Sequence, residues 1–387
     1  MKYLKDEERK KIKEMVKLKI EYFSNLEKVE YLDEDEKEDL KNVTDKYSFR
    51  ANNYYMSLID WNDSNDPIKR IIMPNLGELD NWGALDPSNE SKYTVMQGVE
   101  HKYDSTILLL VSNVCAGICR YCFRKRIFKN GHREKLEDLD SALNYIREHE
   151  EITNVLLTGG DSLMISTNRL EKILKGLREI EHVEIIRFGT KIPVFNPYRI
   201  IEDKELQDMF RKYSTKEKRL YLITDINHPK ELSKEAVESL RILIDSGVIL
   251  ANQTPLIRKL NDKPKVLAEL FKELSFIGIP SYYVFQCRPS IGNKEYAVPI
   301  EEGYKIYEKA KSMVSGLAKR SSFVLSHASG KIKILGMNDK KIFFKYHRAY
   351  DNKNSGKFFS FKRNAEAYWL DDYQLSNMES QNYIMHY

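Results

Sequence analysis

Cysteine is scarce in this chain of 387 residues, which has four in all; that excludes a disulfide-stapled secreted scaffold. No stretch approaches the roughly 18 apolar residues that a membrane span needs. The charged opening Met1-Lys2-Tyr3-Leu4-Lys5-Asp6-Glu7-Glu8 also lacks the apolar segment of a secretion signal. The expectation is a cytoplasmic protein with no membrane partner. Charge of one sign is not concentrated either: the net charge is +5 and is spread along the chain, so nucleic acid is not indicated. Internal repeats and low-complexity tracts are absent. The length suffices for one large domain with a smaller appendage and a sizeable core.

The few thiols are bunched. Three fall in Cys115-Ala-Gly-Ile-Cys119-Arg-Tyr-Cys122, just after the apolar run Ile107-Leu108-Leu109-Leu110-Val111. A CxxxCxxC loop at the end of a predicted strand can wrap one [4Fe–4S] cluster, and three ligands leave the fourth iron without a protein partner. An open iron can bind a substrate or cosubstrate. The alternatives are a zinc knuckle or unrelated buried thiols. Structural zinc usually takes four protein ligands, and the one remaining cysteine, Cys287, is remote in sequence.

Residues 6 to about 28 read as an amphipathic helix, with Ile12, Met15, Val16, Leu18, Ile20 and Phe23 near helical spacing. Such a helix suits internal packing or a homo-oligomer. The segment up to residue 100 mixes acidic runs, aromatic clusters and turn signals, and reads as a mostly helical N-terminal region, 1–100. Short apolar strands are then predicted at 107–112, 154–158, 184–189, 219–224, 247–252 and 282–287, with helices at 136–149, 168–179, 204–213, 233–246 and 264–277 between them. Six βα units in series predict an α/β fold, a partial (β/α)6 TIM-type barrel over 101–290, with chemistry at the carboxyl ends of its strands. The C-terminal extension, 291–387, carries a helix near 300–315, strand-like segments at 321–325 and 331–335, and a polar aromatic tail.

The cysteine loop, with Tyr121 before its last thiol, resembles the radical S-adenosylmethionine (radical SAM) superfamily, in which SAM chelates the open iron and is cleaved to a 5′-deoxyadenosyl radical. One βα unit later come Gly159-Gly160-Asp161. Two glycines let a backbone approach a ligand and can leave N–H groups unblocked, and the superfamily has a Gly-Gly-Glu or Gly-Gly-Asp stretch here that contacts the SAM amino group. Phe49-Arg50, Tyr54 to Asp60, Leu156 to Asp161, Asn227-His228-Pro229, Asn252-Gln253-Thr254 and Asn261-Asp262 narrow the resemblance to the lysine 2,3-aminomutase family, over roughly residues 45 to 335.

That family is an isomerase group that moves an amino group between neighbouring carbons with a [4Fe–4S] cluster, SAM and pyridoxal 5′-phosphate (PLP). The resemblance implies cluster ligation by Cys115, Cys119 and Cys122. It implies SAM contacts at Gly159, Gly160, Asp161 and Gln253, a substrate carboxylate on Arg124, and a PLP lysine at Lys331, with Lys333 as a rival because the glycine-rich turn is shortened to Ser329-Gly330. It also implies an amino acid as small-molecule substrate and a reductant such as flavodoxin or ferredoxin.

Departures carry information too. Lys102 and Thr106 replace two arginines that help hold PLP, which keeps a PLP-free radical SAM enzyme in play as a second reading. Arg288 replaces an aspartate that grips the distal ammonium of lysine, and no acid stands among Leu325, Ser326 and His327. A guanidinium there repels an ammonium and attracts a carboxylate, so the expected substrate is not lysine but a glutamate-like or neutral polar amino acid, and Arg288 is a candidate substrate residue. Asp225 replaces a histidine near SAM. A third reading, from another class, is a non-catalytic iron–sulfur electron-transfer or sensing protein.

Overall fold

The computed structural model describes residues 19–128 and 134–376, with side chains placed up to 373. The N-terminal region starts with a two-stranded ribbon, Tyr22–Phe23 (β1) against Ala51–Asn52 (β2), around a helix at Glu34–Lys46. Most of the expected helix over 6–28 lies outside the described residues, and its described end is not α-helical: it holds a short strand and a single 3-10 turn at Leu26–Lys28. There Tyr22 and Phe23 pair with Asn52 and Ala51, so a long-range ladder overrides the local apolar spacing. Short helical turns at Asn53–Met56, Pro67–Ile72, Leu76–Leu79 and Glu90–Tyr93 complete the region.

One sheet organises the rest. Its strands are Thr94–Met96 (β3), Val99–Tyr103 (β4), Thr106–Ser112 (β5), Asn154–Gly159 (β6), Ile185–Thr190 (β7), Leu220–Thr224 (β8), Ile249–Leu256 (β9), Ser281–Gln286 (β10), Ser322–His327 (β11), Gly330–Met337 (β12), Lys341–Ala349 (β13) and Phe358–Lys362 (β14). They lie side by side in chain order. β5 to β11 are parallel, while β3–β4 at one end and β12–β14 at the other are antiparallel. The predicted parallel strands and the helices between them are present within a few residues; the helix Pro264–Ile277 is the span read from sequence. The tail holds β13 and β14, a hairpin the sequence reading did not anticipate.

Strand alternation explains the layering. Val155, Leu157, Ile186, Phe188, Leu220, Leu222 and Leu250 are fully or nearly fully buried against the helices. The intervening Leu156, Thr158, Arg187, Gly189, Tyr221, Ala251 and Gln253 are partly accessible and face the other way, into the lumen of the curved sheet. The helices begin where short polar residues can cap them: Asp138, Ser166, Asp203 and Ser233 each accept a backbone N–H in the first turn, worth about 1 kcal/mol apiece. A second core joins the helix Ile300–Ser312 to the outer face of β11–β13 through Phe323, Leu325, Ile332, Ile334 and Phe344.

The two ends of the sheet meet without a backbone ladder between them. Side chains close this seam: Lys102 donates to the His327 carbonyl (2.8 Å), Tyr93 to the Ala328 carbonyl (2.8 Å), Arg348 to Ser105 Oγ (2.7 Å) and Asn352 to the Asp104 carboxylate (2.5 Å). The expected partial barrel is therefore completed by the antiparallel C-terminal strands, and a single sheet runs across residue 290. Among the described residues no helix is long and apolar enough to cross a membrane.

Candidate active site

The cysteine loop leaves the carboxyl end of β5 and is clamped by the N-terminal region. Arg50 Nε donates to the Cys115 carbonyl (2.9 Å), Asn52 to the Ala116 carbonyl (3.1 Å), and the N–H groups of Ile118 and Arg120 reach the carbonyls of Arg50 and Ile71. Arg120, 1% exposed, makes a two-point pair with the buried Glu78 at 2.9 Å on both arms. Removing one partner of such a pair costs about 3–5 kcal/mol. The three thiols are free and partly accessible. Burial raises all three above the ordinary thiol range, while the Arg124 backbone N–H favours the Cys122 thiolate. Among the described residues no three His, Cys, Asp or Glu side chains converge on a single-ion site. In a four-iron cube each thiolate binds a different iron, so three soft donors spaced along one enclosed loop fit that group.

Gly159-Gly160-Asp161 lies against this loop, with its amides already committed. Gly160 N donates to the Ser112 carbonyl (2.7 Å) and Asp161 N to the Val114 carbonyl (2.9 Å). This reverses the expectation of unblocked N–H groups. The glycines are there because the two chains touch: a Cβ on Gly160 would sit 2.6 Å from Val114 O, and one on Gly159, at φ +117°, 2.2 Å from Ser112 O. The Asp161 carboxylate is equally occupied, accepting from Thr190 Oγ1 (2.6 Å), Lys191 N (2.7 Å) and Leu163 N (2.9 Å).

The remaining motifs form a buried polar web beneath the loop. Asn227 donates to Tyr121 Oη (2.5 Å), while Asn261 donates to the Asn227 carbonyl (3.0 Å). Asn252 donates to the Ile226 carbonyl (2.9 Å). Glu231 collects Tyr55 Oη (2.7 Å), Asn227 N (2.6 Å) and Lys191 Nζ (2.8 Å). These residues lock loops in place. Asp225 is held by Lys191. Gln253, in contrast, makes no side-chain hydrogen bond among the described residues and faces the lumen.

Positive charge dominates the opposite part of the lumen. Arg124 does not offer an open fork: Glu90 takes its Nε (3.0 Å) and Nη2 (2.9 Å), with Glu100 3.5 Å away. Glu90 also accepts from Arg126 (2.6 Å). Burial alone would raise the Glu90 carboxyl, but Arg124, Arg288 and Arg126 bring it down to about 2. Burial lifts Glu100 to about 7. Arg288 is the underused guanidinium. It stacks 3.6 Å from the Phe123 ring centre, lies 3.9 Å from Glu90, and among the described residues its side chain donates no hydrogen bond, with Nη1 buried. Burial lowers it to about 10.

Lys331 shares this lumen, over the rings of Tyr283 (4.6 Å) and Phe285 (5.7 Å). Burial, with Arg187, Arg348, Arg288 and Lys102 around it, lowers its amine to about 7. A lysine whose amine is held well below its ordinary range, among cations and with no carboxylate partner among the described residues, fits an anionic aldehyde cofactor such as PLP. Gly330 before it, at φ +145°, leaves no room for a Cβ, which would meet Arg348 O at 2.3 Å. Lys333, the rival, also faces inward, opposite Lys345 and Val324. Asp371 lies 3.3 Å from His327 beside the shortened turn; the outward register of His327 puts it on the far side of the sheet from Lys331. Sequence reading missed Glu90, Glu100, Arg187 and Arg348. Arg187 had a signal, a charge inside the apolar strand Ile185-Ile186-Arg187-Phe188.

Comparison with known proteins agrees with this geometry. Residues 109–271 match the Radical SAM superfamily model, so the cysteine loop and the parallel strands beside it define a radical SAM enzyme. The chain is 52% identical over 356 residues to a putative L-lysine 2,3-aminomutase of Aquifex aeolicus, covering 92% of this chain and 95% of that one. It is 36% identical to the L-lysine 2,3-aminomutase of Clostridium subterminale (78% and 72% covered). With the glutamate 2,3-aminomutase of Clostridioides difficile it shares 37% identity (76% and 68% covered). The chain belongs to the lysine 2,3-aminomutase family. It is thus an isomerase of the radical SAM aminomutase class, with a [4Fe–4S] cluster and SAM as cofactors; lysine 2,3-aminomutases use PLP as well.

Proposed function

We propose that this chain is an amino acid 2,3-aminomutase whose substrate carries an acidic or neutral polar side chain, glutamate being the simplest case. The observation that carries the reading is Lys331, a lumen lysine brought down to about 7 among Arg187, Arg348, Arg288 and Lys102. When bound, the cluster and SAM supply the initiating radical, and PLP supplies a π system through which nitrogen can migrate.

The protein's own residues do the rest. Cys115, Cys119 and Cys122 hold the cluster. Gln253 has a free amide for SAM, and Gly159, Gly160 and Asp161 shape the wall against which SAM lies. Lys331 presents an amine that can be neutral for attack on an aldehyde. Arg288 has unused N–H groups for a carboxylate, whereas Arg124 reaches one only by sharing with Glu90. Arg288 also disfavours a distal ammonium through like-charge repulsion. Reduction would come from a one-electron donor such as flavodoxin or ferredoxin, and the protein would work in the cytoplasm.

A second reading, a PLP-free radical SAM enzyme, is favoured by Lys102 and Thr106 standing where the family has arginines. One experiment separates the two. Protein expressed anaerobically with ample PLP is reduced with borohydride, and its lysine peptides are mapped by mass. A pyridoxyl adduct on Lys331 supports the aminomutase; its absence, with the cluster and SAM cleavage intact, supports the PLP-free enzyme. Turnover of lysine in preference to glutamate would remove the substrate assignment.

A further inference from the structure

The tail hairpin contributes a guanidinium to the lumen. Lys331 on β12 is the direct cross-strand partner of Arg348 on β13, so both side chains stand on one face of the sheet. The pairing skips His347 between Lys331↔Arg348 and Ile332↔Tyr346. This bulge, the kind of irregularity that re-aims a side chain, brings the His347 ring 5.7 Å from Tyr283 as well. Arg348 crosses the seam, stacks 4.3 Å from the Tyr103 ring centre and donates Nη2 to Ser105 Oγ at 2.7 Å.

Arg187 reaches toward the same place from β7, with Nε on Asn154 Oδ1 at 2.8 Å. The two anchors are joined, because Asn154 N donates to the Ser105 carbonyl at 3.1 Å. Neither arginine forms an ion pair among the described residues, and their other N–H groups have no protein acceptor there. The nearby acid, Asp104, accepts from Asn352 instead. Two guanidiniums held together without an anion repel one another, and their field favours the neutral form of the Lys331 amine. A phosphate dianion offers oxygens that accept two forks and removes that repulsion.

We propose that Arg348, delivered across the seam by β13, grips the PLP phosphate together with Arg187 and supplies the charge missing at Thr106. The inference rests on the reading that Lys331 binds PLP. The test titrates full-length protein freed of PLP with PLP and, separately, with pyridoxal, which lacks the phosphate. Arg348→Gln should weaken PLP binding about 10-fold or more and leave pyridoxal unchanged, with Arg348→Lys in between. Asn352→Ala, which cuts only the neighbouring seam contact, should leave both affinities alone.

Wild-type PLP affinity in Arg348→Gln, or equal losses for PLP and pyridoxal, would overturn the proposal. So would unchanged PLP binding with a raised KM for the amino acid, since the arginine would then serve a substrate carboxylate. If Arg348→Gln does not fold, Ser105→Ala removes only the anchor and should weaken PLP binding several-fold; unchanged affinity there overturns the proposal too. Wild-type protein that takes up no PLP would bring down the Lys331 reading itself, whereas a defect-free Arg348→Gln leaves that reading standing.

Discussion

The two ends of the lumen are built on opposite principles. Around the cysteine loop, nearly every charged group has an internal partner: Arg120 has Glu78, Lys191 has Glu231 and Asp225, and Asp161 has three donors. Around Lys331 the cations outnumber the acids, and Arg288, Arg187 and Arg348 keep unused N–H groups. The saturated end is a frame for a group held by sulfur. The unsaturated end is held short of its anions, and that shortage is what a phosphate and a carboxylate would relieve. Glu90 marks the boundary, committed to arginines on both sides.

The largest effect should come from the saturated end. Cys119→Ala is expected to lose the cluster and cut 5′-deoxyadenosine formation by about 1,000-fold or more; iron content and product assay check both. Lys331→Met should leave iron and SAM cleavage in place while abolishing the reducible pyridoxyl adduct, so the two ends fail separately. If iron were lost as well, the ends would not be independent. Arg288→Asp should lower kcat/KM for a glutamate-like substrate about 100-fold, roughly the 3 kcal/mol of a lost buried charge contact, and narrow the gap to lysine. Unchanged substrate preference would remove Arg288 from recognition.

Glu78→Gln leaves Arg120 and Lys125 buried against a neutral partner and should cost about 3 kcal/mol of stability, read from denaturant unfolding. The smallest effect, at most about 1.4 kcal/mol per pH unit, is a pH slope. Lys331 titrates at about 7 when folded, against 10.5 as the ordinary lysine value. Between those values the unfolded chain holds a proton that the folded chain has released, so PLP-free protein should gain stability as pH rises through that window. Lys331→Met should lack that part of the slope, and an identical slope in both proteins would place the amine in water.

The parallel half was legible because each apolar strand is followed by a helix with its own apolar stripe. The ribbon at Tyr22–Phe23 was not, because the same residues satisfy helical spacing and only their distant partners decide. The β13–β14 hairpin left a weaker trace: Ile342 and Phe344 stand two apart on the buried face, but Phe343 between them and the surrounding lysines and aromatics hide the period. At the site, thiol spacing alone pointed to a cluster. What Gly160, Asp161 and Arg124 touch could not be read the same way. Ser112, Val114 and Glu90 are brought to them by folding, and a motif says that a backbone comes close without saying which neighbour fills the gap.

The seam deserves a thermodynamic reading of its own. Elsewhere the wall is continuous ladder, whereas between the β3–β5 end and the β11–β13 end it rests on the bonds of Lys102, Tyr93, Arg348 and Asn352. At about 0.5–1.5 kcal/mol net for each, parting this line costs a few kcal/mol, less than global unfolding of a domain this size. Local opening should therefore begin there, with the amides around Tyr103–Ser105 and Ala328–Ser329 exchanging hydrogen faster than those of β6 to β9. Occupancy of the phosphate site, by adding bonds to Arg348, should slow that exchange, so that filling the site also fastens the wall.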